Sequence, residues 1–232
     1  MTPATSRIRI VGSFDDLVNA SFGPEVNAIC WARQLPGNFD EIAALLQNEE
    51  DIVSLDEEAI ESLRPRLSAQ GCIAADILLA DRQLLQERGL LPSLECVPRY
   101  PRDDGNAVPT DVYSFHADRA PVQADTYLCS YNESSSEGLD NASAQRRIDN
   151  PVTRQKLQDL FANKGGGSFE EFLRENCYDL HYAPLPNAVR YSFGIGNMWR
   201  IAVEYPGSPV APCIHRAPDT VDGRPPRLLL IS

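Results

Sequence analysis

The sequence predicts an α+β chain that folds as one unit, with a helical front, a β-rich back half and one helical insert. Three observations predict it. Apolar residues recur at helical spacing through much of the first 90 positions. From Leu91 onward, prolines and glycines punctuate short runs rich in Val, Ile, Tyr and Phe, the pattern of an antiparallel sandwich or barrel. Between about 145 and 178 helical spacing returns. A chain of 232 residues has room for one good-sized domain, or for one domain with an added helical layer. Residues 1–90 are therefore expected to pack on residues 91–232 within the same structural unit.

Ile8 to Val11 and Ala28 to Ala32 read as short strands. Behind the start signal Pro36-Gly37-Asn38, the stretch Phe39 to Leu46 puts Phe39, Ile42, Ala43, Leu45 and Leu46 near one helical face. Ser54 followed by Glu57 is a capping-box pattern and predicts a helix from Leu55 to about Leu63, where Pro65 stops it. Ala74 to Arg88 has the strongest helical periodicity, and Gly89 is its expected C-cap. The strands expected after that are Leu94 to Tyr100, Val112 to Ala117, Asp125 to Tyr131, Val189 to Ile195, Met198 to Tyr205, Pro212 to Arg216 and Arg227 to Ile231. The insert reads as two helices, Asn150 to Asn163 and Phe169 to Asn176, jointed at Gly165-Gly166-Gly167 and capped by Ser168.

Composition narrows the function. With 33 acidic and 21 basic side chains the formal net charge is −12, which repels phosphate backbones and anionic lipid. Nucleic acid and membranes are thus not expected partners. No apolar run reaches the roughly 20 residues of a spanning helix, and Met1 to Val11 lacks the apolar core of a secretory signal. A cytoplasmic protein is the expectation. The six cysteines include no C-x-x-C pair, so they read as buried thiols of a reducing compartment rather than a closed zinc site. No G-x-S-x-G is present, the Gly165 triplet has no Lys-Ser or Lys-Thr after it, and Gly194-Ile195-Gly196 lacks the third glycine of a dinucleotide loop.

Histidine is scarce: His116, His181 and His215. His116 and Asp118 stand two apart in the expected strand VYSFHAD, hence on one face. An imidazole and a carboxylate side by side supply two of the three ligands of a 2-His-1-carboxylate site, which leaves open positions on Fe(II). His215 ends another expected strand, and a Gly-Arg-Pro-Pro turn leads from it to Arg227, twelve positions on. If that turn folds the two strands together, the guanidinium of Arg227 can point into the pocket beside the metal, where its planar fork matches a carboxylate. His181 follows Cys177 by four, but Tyr182-Ala183-Pro184 argues that the helix has ended, and His181 reads as structural or as a neighbour that supports the ligands from behind.

The order of these pieces, H-x-D on a strand, a long interval, His on a strand, then Arg opening a final strand, resembles the Fe(II)/2-oxoglutarate-dependent dioxygenases. The likeness is specific over about Tyr113 to Asn132 and Pro212 to Ser232, and architectural elsewhere. It implies a double-stranded β-helix (jelly roll) preceded by helices, with His116, Asp118 and His215 as iron ligands and Arg227 anchoring 2-oxoglutarate. Leu229 stands where many relatives have Ser or Thr, so Arg224 is a rival anchor. Tyr127, Ser130 and Tyr131, on the next strand, are candidates for holding the co-substrate. The W-A-R-Q-L-P near Trp31 together with F-H-A-D is also similar to a bacterial branch of unknown function.

The resemblance implies that O2 and 2-oxoglutarate are consumed to hydroxylate a small molecule, with Asp149 to Cys177 as a lid. Arg119, Arg146, Arg147, Trp199 and Arg200 would suit an anionic or amino-acid-like substrate, though a solvated basic face with one core Trp is the commoner arrangement. Two other classes stay in view. One is a cupin-like metal-binding protein without oxygen chemistry, and the other is a silent interaction domain docking through its acidic helical front.

Overall fold

In chain order the front of the molecule runs β1 (Ile8–Val11), α1 (Phe14–Asn19), β2 (Ala28–Trp31), α2 (Phe39–Leu45), β3 (Val53–Ser54), α3 (Glu57–Leu63) and α4 (Ala69–Gln86). Next come β4 (Ser93–Val97), β5 (Asp125–Ser130), β6 (Glu137–Leu139), β7 (Ala144–Arg146), α5 (Pro151–Lys164) and α6 (Phe169–Glu175). The chain then completes its strands with β8 (Tyr182–Pro184), β9 (Arg190–Ser192), β10 (Met198–Ala202), β11 (Ile214–Arg216) and β12 (Arg227–Ile231). This computed structural model describes residues 7–47, 50–103, 105–164, 166–221 and 223–232. Residues 1–6 of the Met1 to Val11 segment and Gly165 of the glycine joint lie outside the described residues.

The fold mixes helices with a seven-stranded sheet in the order β1-β2-β10-β5-β12-β4-β3, antiparallel except for the β1–β2 pair. Side chains alternate across it, as a period of two requires. Ile29, Tyr127, Cys129, Met198, Leu228 and Leu230 meet α1 to α4 in one core. Ala28, Cys30, Leu128, Trp199, Ile201 and Leu229 face the other way and bury Phe193 and Cys213. The helices thus cover one face of the sheet, and a smaller β layer covers part of the other.

That smaller layer is continuous. β9 pairs with β6 and β6 with β11, while β7 pairs with β8, all antiparallel. Residues 115–117 join the two pieces. His116 exchanges both backbone hydrogen bonds with His215 (2.9 Å each), and on its other side Tyr182 donates to Phe115 (2.8 Å) and Ala117 to Leu180 (3.0 Å). Phe115, Leu139 and Ile214 alternate with this row and pack on its outer side. Gly138, opposite His215, leaves room for the Tyr191 ring, which would lie 2.1–2.4 Å from a Cβ at that position.

Several boundaries differ from the sequence expectation. Asp56 caps α3, accepting from Ala59 N–H at 2.8 Å, because Ser54 is taken into β3 opposite Glu95. Ser68 caps α4 through Gln70 and Gly71, which starts the helix five residues before Ala74. The short helix α1, capped by Ser13, carries too few apolar residues to show a period. Most of Val112 to Ala117 is turn, since Asp111 accepts from the backbone N–H groups of Tyr113 and Ser114 (3.0 Å each) and holds the chain out of a ladder. Only His116 there forms β-bridges.

The insert has its own small core of Val108, Ile148, Leu157, Phe172, Leu173 and Tyr178. Ser168 and Glu171 form a full capping box at α6. At the neck of the insert Arg147 N–H donates to His181 O at 2.8 Å. Cys30, Cys96, Cys129 and Cys213 are buried, while Cys177 is exposed. No helix among the described residues is long and apolar enough to cross a membrane.

Candidate metal centre

Three groups converge on the inner side of the smaller layer. The bridge between residues 116 and 215 puts His116 and His215 on neighbouring strands facing the same way, with ring centroids 4.6 Å apart. Asp118 follows two residues later. Its Oδ1 lies 3.8 Å from Nε2 of each imidazole, and one ligand atom from each residue falls within 4.8 Å of the others.

These groups are held rather than free. Nδ1 of His116 lies 2.8 Å from Ser114 O, which can only accept, so that nitrogen carries the proton and Nε2 presents its lone pair inward. Thr126, on β5, donates its hydroxyl to Asp118 Oδ2 at 2.6 Å and leaves Oδ1 facing the histidines. Burial, and then the neighbouring His215, depresses the His116 pKa to about 4. Burial opposes ionisation of Asp118, but His215, His116 and the Thr126 hydrogen bond outweigh it and hold the carboxyl below its ordinary value. Two imidazole nitrogens and a carboxylate oxygen therefore meet at spacings too long for hydrogen bonds. His116, Asp118 and His215 could together hold a divalent cation, and two imidazoles with one carboxylate would suit Fe, Mn or Zn. His215 is 8% exposed and its Nδ1 is buried without a hydrogen-bond partner among the described residues.

Arg227 opens β12 on the inner face and is 7% exposed. Its guanidinium donates to Ser130 Oγ (2.7 and 3.2 Å) and Ser136 Oγ (2.8 Å), and among the described residues it has no carboxylate partner. Burial lowers its pKa from the usual guanidinium value. A buried cation held only by neutral hydroxyls is a receptor for an anion. The pocket beside it is lined by Val97, Tyr100, Glu133, Thr220, Arg224 and Arg227. None of the three converging ligands lines this pocket. The link is β6: Ser136 lies two residues, roughly 7 Å of strand, from Gly138, the partner of His215.

The other residues singled out from the sequence are placed as follows. Ser130 holds Arg227, whereas Tyr127 and Tyr131 point to the opposite, helix-covered face, and Tyr131 donates to Asp81 at 2.8 Å. Arg224 is exposed at the pocket rim, paired with Glu133 at 3.0 Å. Arg119 is bound by Asp179 and Glu204, and Arg146 pairs with Asp149. Arg200 pairs with Asp125 and donates to the carbonyls of Val18 and Ala20 that end α1. Trp199 is buried against Phe193, donating its indole N–H to the Phe193 carbonyl at 2.6 Å. These groups are engaged in the fold and not turned to the metal centre. Sequence reasoning missed Thr126 and Ser136, whose roles depend on strand pairing that no local pattern reveals. It also read His181 as structural, although His181 sits directly opposite His116, with ring centroids 5.7 Å apart.

No protein-family model, no curated protein and no solved structure matches this chain.

Proposed function

We propose that the protein is an Fe(II)- and 2-oxoglutarate-dependent oxygenase that hydroxylates a small molecule, built on a double-stranded β-helix. The observation that carries this reading is the pairing of two features between the two sheets: a His-Asp-His cluster on the smaller layer, and on the large sheet a buried arginine with no carboxylate partner among the described residues. A metal store or sensor has use for the first and none for the second. A dicarboxylate that chelates a metal at its keto-acid end needs both.

His116, Asp118 and His215 would hold the iron, and Thr126 fixes which carboxylate oxygen faces it. Arg227, steadied by Ser130 and Ser136, binds the remote carboxylate of the co-substrate. Phe193 and Trp199 form an apolar wall beside His215 and keep bulk water from that side. Iron carrying 2-oxoglutarate supplies oxidation by O2, which splits the keto acid to succinate and CO2 and adds one oxygen atom to the substrate. The layered arrangement, helices outside a large sheet and the metal cluster between that sheet and a smaller layer, supports the jelly-roll reading.

The test is a visible spectrum of metal-free protein under strict anaerobiosis, with Fe(II) added and then 2-oxoglutarate. Bidentate chelation by the keto acid gives a metal-to-ligand charge-transfer band. The expected result is a band in the wild type, none in His116→Ala and a weakened one in Arg227→Gln. Iron binding without a band moves the reading to a metal-binding protein, and binding of neither leaves an interaction domain.

A further inference from the structure

The smaller layer sets its polar residues in a spatial order. Crossing it from one edge, the chain presents Arg147 just after β7, His181 just before β8, His116, His215 on β11, and then β6, preceded by Ser136, which holds Arg227. A cationic side chain thus stands on either side of the metal cluster. The oxygenase reading occupies Arg227 and leaves Arg147 and His181 without a task.

His181 is buried and Arg147 half-buried, and neither side chain has a partner among the described residues. His181 is 4% exposed, its Nδ1 is buried, and its imidazole makes no hydrogen bond among the described residues. Arg147 makes neither an ion pair nor a side-chain hydrogen bond among the described residues, and its Nε is fully buried. Asp111, the carboxylate whose field reaches Arg147, is already engaged by the backbone N–H groups of Asp103, Tyr113 and Ser114. The hydroxyl of Ser114, whose carbonyl anchors His116, is likewise buried with no partner. The imidazole of His181 can donate a hydrogen bond beside the guanidinium of Arg147, the residue that faces it across the backbone bond at the neck of the insert. Buried polar groups left this way are rare and generally meet a ligand.

We propose that Arg147 and His181 form an oxyanion subsite, taking a carboxylate or phosphate group of the primary substrate on the side of the metal opposite Arg227. The assignment to a primary substrate rests on the oxygenase reading, while the anion binding itself does not. The two residues are the two ends of the helical insert, joined by the 2.8 Å bond from Arg147 N–H to His181 O. An anion held there is gripped at the neck of the insert, one strand away from His116, where a small substrate's oxidisable carbon can reach the metal. The guanidinium fork supplies charge and two donors, and the imidazole supplies a third.

The experiment uses metal-free, 15N-histidine-labelled protein, titrated separately with sodium acetate and with inorganic phosphate. Long-range proton–nitrogen spectra report the three imidazoles individually, with His181→Gln assigning that signal. The expected result is a saturable shift of the His181 resonance in the wild type and in Arg227→Gln. In Arg147→Gln it should weaken on the order of tenfold, the loss of one charge-assisted interaction. Arg147→Lys, which keeps the charge but not the fork, guards against misfolding of the insert and should bind between the two. Which probe saturates first identifies the group as carboxylate or phosphate. A His181 resonance that shifts with neither anion overturns the subsite, and so does a shift abolished in Arg227→Gln but intact in Arg147→Gln. Failure of the oxygenase reading is read elsewhere, as a missing charge-transfer band, and the two results are independent.

Discussion

Arg227 and Ser136 stand 2.8 Å apart, the guanidinium Nη2 donating to the serine hydroxyl, and this contact ties β12 of the large sheet to the residue that leads into β6, the strand beside His215. The arginine is buried yet meets no carboxylate among the described residues, so its charge is a cost to the metal-free fold. Arg227→Gln is therefore expected to leave unfolding stability in urea unchanged or slightly raised. Affinity for 2-oxoglutarate in the presence of iron should fall on the order of a hundredfold. A stability loss beyond about 2 kcal/mol would mark the arginine as a structural strut instead.

Arg33 and Asp81 give the opposite case. They form a bidentate pair at 2.7 and 2.5 Å between the segment that follows β2 and α4, with side-chain exposures of 10% and 4%, and Tyr131 adds a hydrogen bond to the same carboxylate. Asp81→Ala strands a buried guanidinium and is expected to cost about 3–5 kcal/mol. Replacing both partners with leucine and methionine should recover most of that loss in the same urea titration. If Asp81→Ala proves neutral, the pair does not anchor the helical layer.

Thr126 makes its one side-chain hydrogen bond to Asp118, at 2.6 Å. Thr126→Val keeps the shape and removes the donor. Metal affinity, measured by competition with a chelating dye, should drop about 10- to 100-fold, while the melting temperature of the metal-free protein hardly changes. An unchanged affinity would mean that the carboxylate is oriented without the hydroxyl.

His116 and His181 are both depressed to about 4 by burial, His116 further lowered by His215 and His181 by His116 and Arg147. In the unfolded chain they take up protons near pH 6.5, while in the fold they stay neutral until about pH 4. Between those values the unfolded state binds more protons, so metal-free protein should lose stability as pH falls from about 6.5 to about 4, by roughly 3 kcal/mol for each imidazole and on the order of 7 kcal/mol for the pair. Below that window the loss continues as Asp118, whose carboxyl is held below its ordinary value, takes up its proton. Chemical denaturation at a series of pH values checks it, and a His116→Gln/His181→Gln double variant should flatten the curve. An equally steep curve in the double variant would assign the loss to other groups.

Much of this architecture was legible because burial imposes periods on sequence. The helices α2 and α4 and the strands β5, β10 and β12 announce themselves by apolar spacing, since each packs against a continuous core. The short pieces β6, β7 and β8 do not, at three residues each. Their stability comes from neighbours far off in the chain, and a single strand of that length holds too little pattern to read. The same holds for the site. His116, Asp118, His215 and Arg227 stand out by residue type and order, whereas Thr126, Ser136, Arg147 and His181 acquire meaning only when strands are laid side by side. The predicted strand through Val112 failed for a local reason, the grip of the Asp111 carboxylate on the backbone that follows it.

The position of β12 governs when this molecule can exist at all. Last among the strands in chain order, it lies between β5 and β4, near the middle of the large sheet. Until residues 227–231 have been synthesised, β1, β2, β10 and β5 cannot be zipped to β4 and β3. A chain in which β12 has not yet docked carries two half-sheets with open edges facing each other, each a template for a wrong neighbour. Arg227 arrives with that same strand, so closing the sheet and equipping the pocket are a single event. Folding should accordingly be slow, governed by contacts between distant parts of the sequence.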